Sequence, residues 1–113
     1  MRSLVDSQAM IPFKSVRVGP FDVSIEKLEG GEREKCLGMF SEEHMTIKIR
    51  ESFTSKHIEA ETLLHEVLHS VYAIMGVQQK DPEEKVVRQI STGMAMVIRD
   101  NPKLIAWLKE RLS

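Results

Sequence analysis

The sequence predicts an α+β fold: a small antiparallel sheet, then a long helix, a second helix and a short C-terminal helix. Three observations carry that expectation. Before about Ser55, apolar residues recur at spacing two, the period of a strand with one buried face. From Ser55 onward they recur at three and four, the period of an amphipathic helix. The chain has 113 residues, 42% of them hydrophobic and 29% charged, enough for one core and too few for two. A single domain over residues 1–113 is expected, with the strands segregated from the helices.

The elements follow in order. Met1 to Pro12 has no period and reads as a loose arm. Within Lys14 to Leu28, Val16 and Val18 precede Gly19-Pro20, and Phe21, Val23 and Ile25 follow at spacing two. That is a β-hairpin with a tight turn. Glu29 to Lys35 is a charged, glycine-containing loop. Cys36 to Phe40 reads as a short edge strand. His44 to Arg50 alternates, with Met45, Ile47 and Ile49 on one side and Thr46, Lys48 and Arg50 on the other.

The first helix is expected over Ser55 to Met75, burying Leu64, Val67, Leu68, Val71 and Met75, with Gly76 as its stop. Val77 to Lys80 connects to a second start at Asp81-Pro82-Glu83-Glu84. There Asp81 is the expected N-cap, Pro82 the first helical residue and Glu84 the closing member of a capping box. This helix runs to about Asp100. Asn101-Pro102 breaks it, and a last helix follows, carrying Leu104, Ile105, Trp107 and Leu108.

Composition narrows the function. Sixteen Lys and Arg balance seventeen Asp and Glu, for a net charge of −1. Such a chain has no broad positive field for nucleic acid or an anionic membrane, so neither is an expected partner. The single cysteine, Cys36, has no intrachain partner, which favours a reducing compartment. Met1 to Pro12 lacks the apolar stretch of a secretory signal, and no apolar run reaches the roughly eighteen residues of a membrane span. A cytoplasmic location is expected.

One motif carries chemistry. His65-Glu66-Val67-Leu68-His69 lies inside the first predicted helix. Histidines at i and i+4 are about 40° apart around a helix, so both imidazoles point the same way and can grip one metal ion. Glu66 is about 100° round from His65, beside the pair and within reach of a water there. Two imidazoles, one further ligand and an open position are what hydrolytic zinc requires. A neighbouring carboxylate then moves the proton. No histidine follows His69, and Met75 stands where a third one six residues on would be. The third donor is therefore expected from the next helix, at Glu83 or Glu84. Glu84 shares a line with Val87, Ser91 and Ala95, whose small side chains suggest a close helix approach. Glu83 shares one with Ile90, Met94 and Val97. His44 and His57 are isolated, and Met94, Met96 and Trp107 read as core.

The motif, with Thr62-Leu63-Leu64 before it and Glu83-Glu84-Lys85-Val86-Val87, Ile90-Ser91-Thr92-Gly93-Met94 and Asp100-Asn101-Pro102 after it, resembles a known group. It is similar to the small phage and bacterial zinc metallopeptidases of the ImmA/IrrE-like minigluzincin group. The resemblance is sharpest from Thr62 to Pro102. Better-known members end the second motif in Ala-Asn-x-Phe-Ala, where this chain has Val87-Arg88-Gln89-Ile90-Ser91, the mark of a divergent branch. They also carry helices before the sheet that have no counterpart here.

The resemblance implies a zincin-like fold, Zn²⁺ on His65, His69 and Glu84, and Glu66 as general base and acid. It implies a protein or peptide substrate, with regulatory cleavage of a repressor as one example. In such enzymes an edge strand pairs with the substrate, and His44 to Arg50 is the expected one. Tyr72 is a candidate for stabilising the oxyanion, and Glu61 for orienting a ligand imidazole. A packing tyrosine and a solvent-facing acid are the plain alternatives. Two other functional classes stand beside this one: a zinc-stabilised binding module without turnover, and a metal-free accessory protein.

Overall fold

The computed structural model describes residues 11–30 and 35–113. Most of the expected N-terminal arm, residues 1–10, lies outside them, as do loop residues 31–34. Four strands come first: β1 (Ser15–Val18), β2 (Phe21–Lys27), β3 (Gly38–Ser41) and β4 (Thr46–Ile49). Three helices follow: α1 (Lys56–Ile74), α2 (Glu83–Asp100) and α3 (Pro102–Leu112). The α+β arrangement of a sheet followed by a long helix, a second helix and a short last one is as the sequence predicts.

The sheet order is β1-β2-β4-β3. β1 and β2 pair antiparallel as the expected hairpin. Gly19 opens its two-residue turn at φ +59, a conformation open to glycine at no steric cost. β3 and β4 also pair antiparallel, but β2 and β4 run parallel. The sheet is therefore mixed rather than wholly antiparallel. After β2 the chain crosses to lay down the outer strand β3 first, then returns as β4 between β3 and β2. Side-chain alternation cannot reveal this, because period two is the same in both strand directions.

Val16, Val18, Val23, Ile47 and Ile49 face the helices from the sheet and are buried. They meet Ala60, Leu63, Val67 and Val71 of α1, Val97 of α2, and Leu104, Trp107 and Leu108 of α3. Among the described residues, no helix is long and apolar enough to cross a membrane.

Local chemistry sets the helix ends. Ser55 caps α1 by accepting the Ile58 N–H at 3.0 Å. At the other end Gly76 takes φ +70. Its N–H reaches the Ala73 carbonyl and that of Val77 reaches Tyr72, a Schellman stop at the predicted glycine. The buried stripe differs from the expected one: Leu63 is inside and Leu68 is 38% exposed. Apolar residues at 63, 64, 67, 68 and 71 cover an arc wider than one contact face, so two stripes fit the same pattern.

The start of α2 also differs. Pro82 is the N-cap, and no side chain caps the helix. The Asp81 carboxylate instead accepts the Gln78 N–H at 2.8 Å and closes the preceding turn. The expected capping box with Glu84 does not form.

Candidate active site

Two histidines on one face of α1 form the nucleus of the site. His65 and His69 place their Nε2 atoms 3.1 Å apart, with the ring planes 76° to one another. Two nitrogens each about 2.0–2.1 Å from a tetrahedral ion are about 3.3 Å apart, so the separation of this hydrogen-bonded pair is close to that of two ligands of one ion. The helix dictates this. Val67 anchors α1 in the core, and both histidines lie about 160–200° round from it, which leaves them exposed.

Glu66 lies about 100° from Val67, on the flank that meets the sheet. It is only 5% exposed. Burial pushes its carboxyl above the ordinary carboxylate range, and the two neighbouring imidazoles pull it part of the way back. A carboxylate with raised proton affinity beside two imidazoles has the chemistry expected of a general base.

What buries Glu66 is β3. An added Cβ on Gly38 would stand 3.3 Å from Glu66 Cγ, 3.2 Å from Thr62 Cγ2 and 3.2 Å from the Lys48 carbonyl oxygen. The absent side chain therefore lets the strand lie directly on α1 at Glu66 and Thr62. Leu37, Gly38, Glu61, Thr62, His65 and Glu66 line the resulting cleft, of about 430 Å³. Gly38 and Leu37 were not among the expected site residues. A glycine inside a strand pattern does signal a close backbone approach, and that signal was present in the sequence.

The strand expected to receive substrate is not the edge. β4, the core of His44–Arg50, is interior, and β3 is the outer strand. The ladder fixes the direction of β3's peptide groups. Arg50 N donates to the Leu37 carbonyl, and Ser24 N and Leu28 N donate to Met45 and Ile49 across the other side of β4. In this phase Leu37, Met39 and Ser41 turn their peptide groups toward β4. Gly38 and Phe40 turn theirs outward, beside the cleft. The opposite edge is covered at Arg17. Asn101 Oδ1 accepts Arg17 N at 2.8 Å, and its Nδ2 donates to the Arg17 carbonyl at 2.7 Å. One amide side chain thus makes, at this residue of β1, the bonds a neighbouring strand would make.

The acidic candidates are not gathered with the histidines. Glu83 and Glu84 are both exposed in the first turn of α2. Among the described residues, no three His, Cys, Asp or Glu side chains form a group that could hold an ion. The helix contact lies elsewhere than the small-residue line predicted. A Cβ on Gly93 would fall 2.6 Å from Val71 Cγ1 and 2.9 Å from Met75 Cγ, so α2 makes its close approach there. Val87 is 52% exposed, and Ser91 and Ala95 face solvent with it. On the other line, Val97 is buried, and Ile90 and Met94 pack against the core. The packing reason for preferring Glu84 therefore does not hold, and Glu83 stands on the inward line.

The remaining candidates are quickly placed. Tyr72 is 38% exposed, one turn past His69. Glu61 shares the cleft with His65. His44 bonds Ser41 Oγ through Nδ1 at 3.2 Å in the β3–β4 turn, and His57 is exposed. Comparison of the chain with protein-family models, curated proteins and solved structures finds no match.

Proposed function

We propose that this protein is a zinc-dependent peptidase of gluzincin type, acting on an extended segment of a protein or peptide in the cytoplasm of a bacterial or phage-infected cell. One observation carries the reading: two imidazoles at metal-ligand separation stand beside a buried carboxylate of raised proton affinity and an open strand edge.

The donor set fits zinc in part. His65 and His69 supply two ligands in place. The third would come from the first turn of α2, Glu84 by the family resemblance and Glu83 by the packing of the helix. Zinc bound there would supply a Lewis acid, polarising the scissile carbonyl and lowering the pKa of water.

The chain's own residues do the rest. Gly38 and Phe40 offer peptide N–H and C=O groups to an extended substrate, which lies across the cleft mouth by strand addition. Leu37 walls the cleft with apolar surface. Glu66 takes the proton of the attacking water and delivers it to the leaving amine. Its burial under β3 raises its proton affinity, in the direction this role asks for.

Replacement of Glu66 by Gln tests this. Zinc content should be unchanged while peptide hydrolysis falls by about 10²–10⁴-fold, the usual share of a general base. Undiminished hydrolysis in that variant, or none in the zinc-loaded native chain against a broad peptide mixture, contradicts the assignment.

A further inference from the structure

The histidine pair has no third donor beside it in its own chain. Among the described residues, no His, Cys, Asp or Glu side chain joins His65 and His69 in a group that could hold an ion. Glu61 is on the same helix but eight residues from His69, about 12 Å along the axis, too far to share its ion. Glu83 and Glu84 are exposed in the first turn of α2. That helix is pinned where it lies. Val97 is fully buried, a Cβ on Gly93 would overlap Val71, and Gln89 Nε2 donates to the Met75 carbonyl at 2.8 Å. The turn before it is fixed by buried Val77 and by the Asp81 carboxylate on the Gln78 N–H. Swinging the first turn of α2 onto the histidines of the same chain would break these contacts. A donor arriving from another chain breaks none of them.

A second observation comes from the apolar surface beside both sets of donors. Leu68 and Tyr72, three residues on from His65 and His69, are each 38% exposed. Val87, four residues on from Glu83 and three from Glu84, is 52% exposed. Residues three or four apart are neighbours on a helix surface, so donors and apolar groups lie side by side on both helices. The molecule thus presents exposed imidazoles with an apolar rim on α1, and exposed carboxylates with an apolar rim on α2.

We infer that the metal site is completed in trans: the first turn of α2 in one chain meets His65 and His69 of a second copy, and the contact repeats across a two-fold axis. Self-complementary surfaces of this kind are what a two-fold dimer requires. Each ion then has two imidazoles from one copy and a carboxylate, Glu83 or Glu84, from the other, with one position left for water. The dimer holds two ions, one per chain, and the lone chain has no complete site. The inference rests on reading the histidine pair as a zinc site and changes only the origin of the third ligand.

The test is complementation between two full-length variants, one with His65→Ala and His69→Ala, the other with Glu83→Gln and Glu84→Gln. All four positions are exposed, so both variants should melt like the native chain without zinc. Zinc uptake is read by calorimetric titration and molecular mass by sedimentation. The native chain should take up one zinc per chain and dimerise as it does so. Each variant alone should bind zinc at least about tenfold more weakly, since even partners outside the ligand shell cost about 10–100-fold, and stay monomeric. Their equimolar mixture should regain one tight site per two chains, because the first variant supplies carboxylates and the second imidazoles. A mixture no better than its components overturns the inference. So does a native chain that takes up zinc as a monomer, and peptide cleavage by that monomer leaves the peptidase reading standing. Zinc-driven dimers of the Glu83→Gln, Glu84→Gln variant alone also overturn it, since four imidazoles then complete the site. Recovered zinc binding in the mixture, with no hydrolysis by the native dimer, supports the inference and removes the peptidase reading instead.

Discussion

Glu59 and Glu66 stand about two turns apart on the same flank of α1, and burial treats them alike. Glu59 is 3% exposed, and desolvation raises its proton affinity more than the Arg111 guanidinium, 3.7 Å away, lowers it. Its contribution to stability is therefore complete below the ordinary carboxylate range and is lost as pH rises through its elevated pKa. Asp81 and Asp100 behave oppositely. A backbone N–H holds the first carboxyl low, and the Arg99 side chain holds the second, so their contribution fades as pH falls. Glu59→Gln should raise the melting temperature at pH 7, by about 1 kcal/mol of stability. Arg111 keeps Glu110 as a partner, which softens the loss of Glu59. The gain should vanish below about pH 4, where native Glu59 is already neutral. A gain that grows toward acid pH would contradict this account of Glu59. At this scale the histidine pair was fully legible, because helical spacing alone sets its geometry. Gly38 was legible only as a flag, since what a missing side chain makes room for depends on the strand's neighbour.

Elements were legible where their signals are local. Ser55, Gly76 and Pro102 each mark a boundary through backbone chemistry that needs no tertiary partner, and each boundary lies where the sequence placed it. Which face of an element meets its neighbours is a tertiary matter, and there the reading slipped. The arc of α1 was one position off, and α2 approaches through Gly93 instead of along Ser91 and Ala95. Asp81 is another case: a local turn with Gln78 competes with the cap and takes the carboxylate. Gly93 gives a direct check on the helix contact. Gly93→Ala gains up to about 1 kcal/mol in helix propensity. The added methyl nevertheless meets Val71 at 2.6 Å, an overlap that must push the helices apart. The net effect should be a loss of about 1–3 kcal/mol, seen as a lower denaturation midpoint at unchanged m-value. Adding Val71→Ala to the same chain should recover part of it. A Gly93→Ala chain as stable as the native one would show that α2 does not cross α1 there.

At the scale of the whole molecule, the two edges of the sheet differ among the described residues. Asn101 occupies the main-chain groups of Arg17 on β1, while Gly38 and Phe40 on β3 turn theirs away from β4 and meet no strand among the described residues. The α+β class was legible from the switch of period near Ser55. The strand order was legible only in part: Cys36–Phe40 read as an edge strand, as β3 is, but His44–Arg50, expected to receive substrate as an edge, is interior, because nothing in an alternating segment records its neighbour. The central claim is that His65 and His69 are two arms of a metal site held ready by α1. Calorimetric zinc titration of the metal-free chain, against His65→Ala and His69→Ala, tests it most directly. One zinc per chain is expected, with a melting temperature that climbs with free zinc by mass action and with both effects lost in either variant. Absence of zinc binding in the native chain, or binding that survives both substitutions, contradicts the claim.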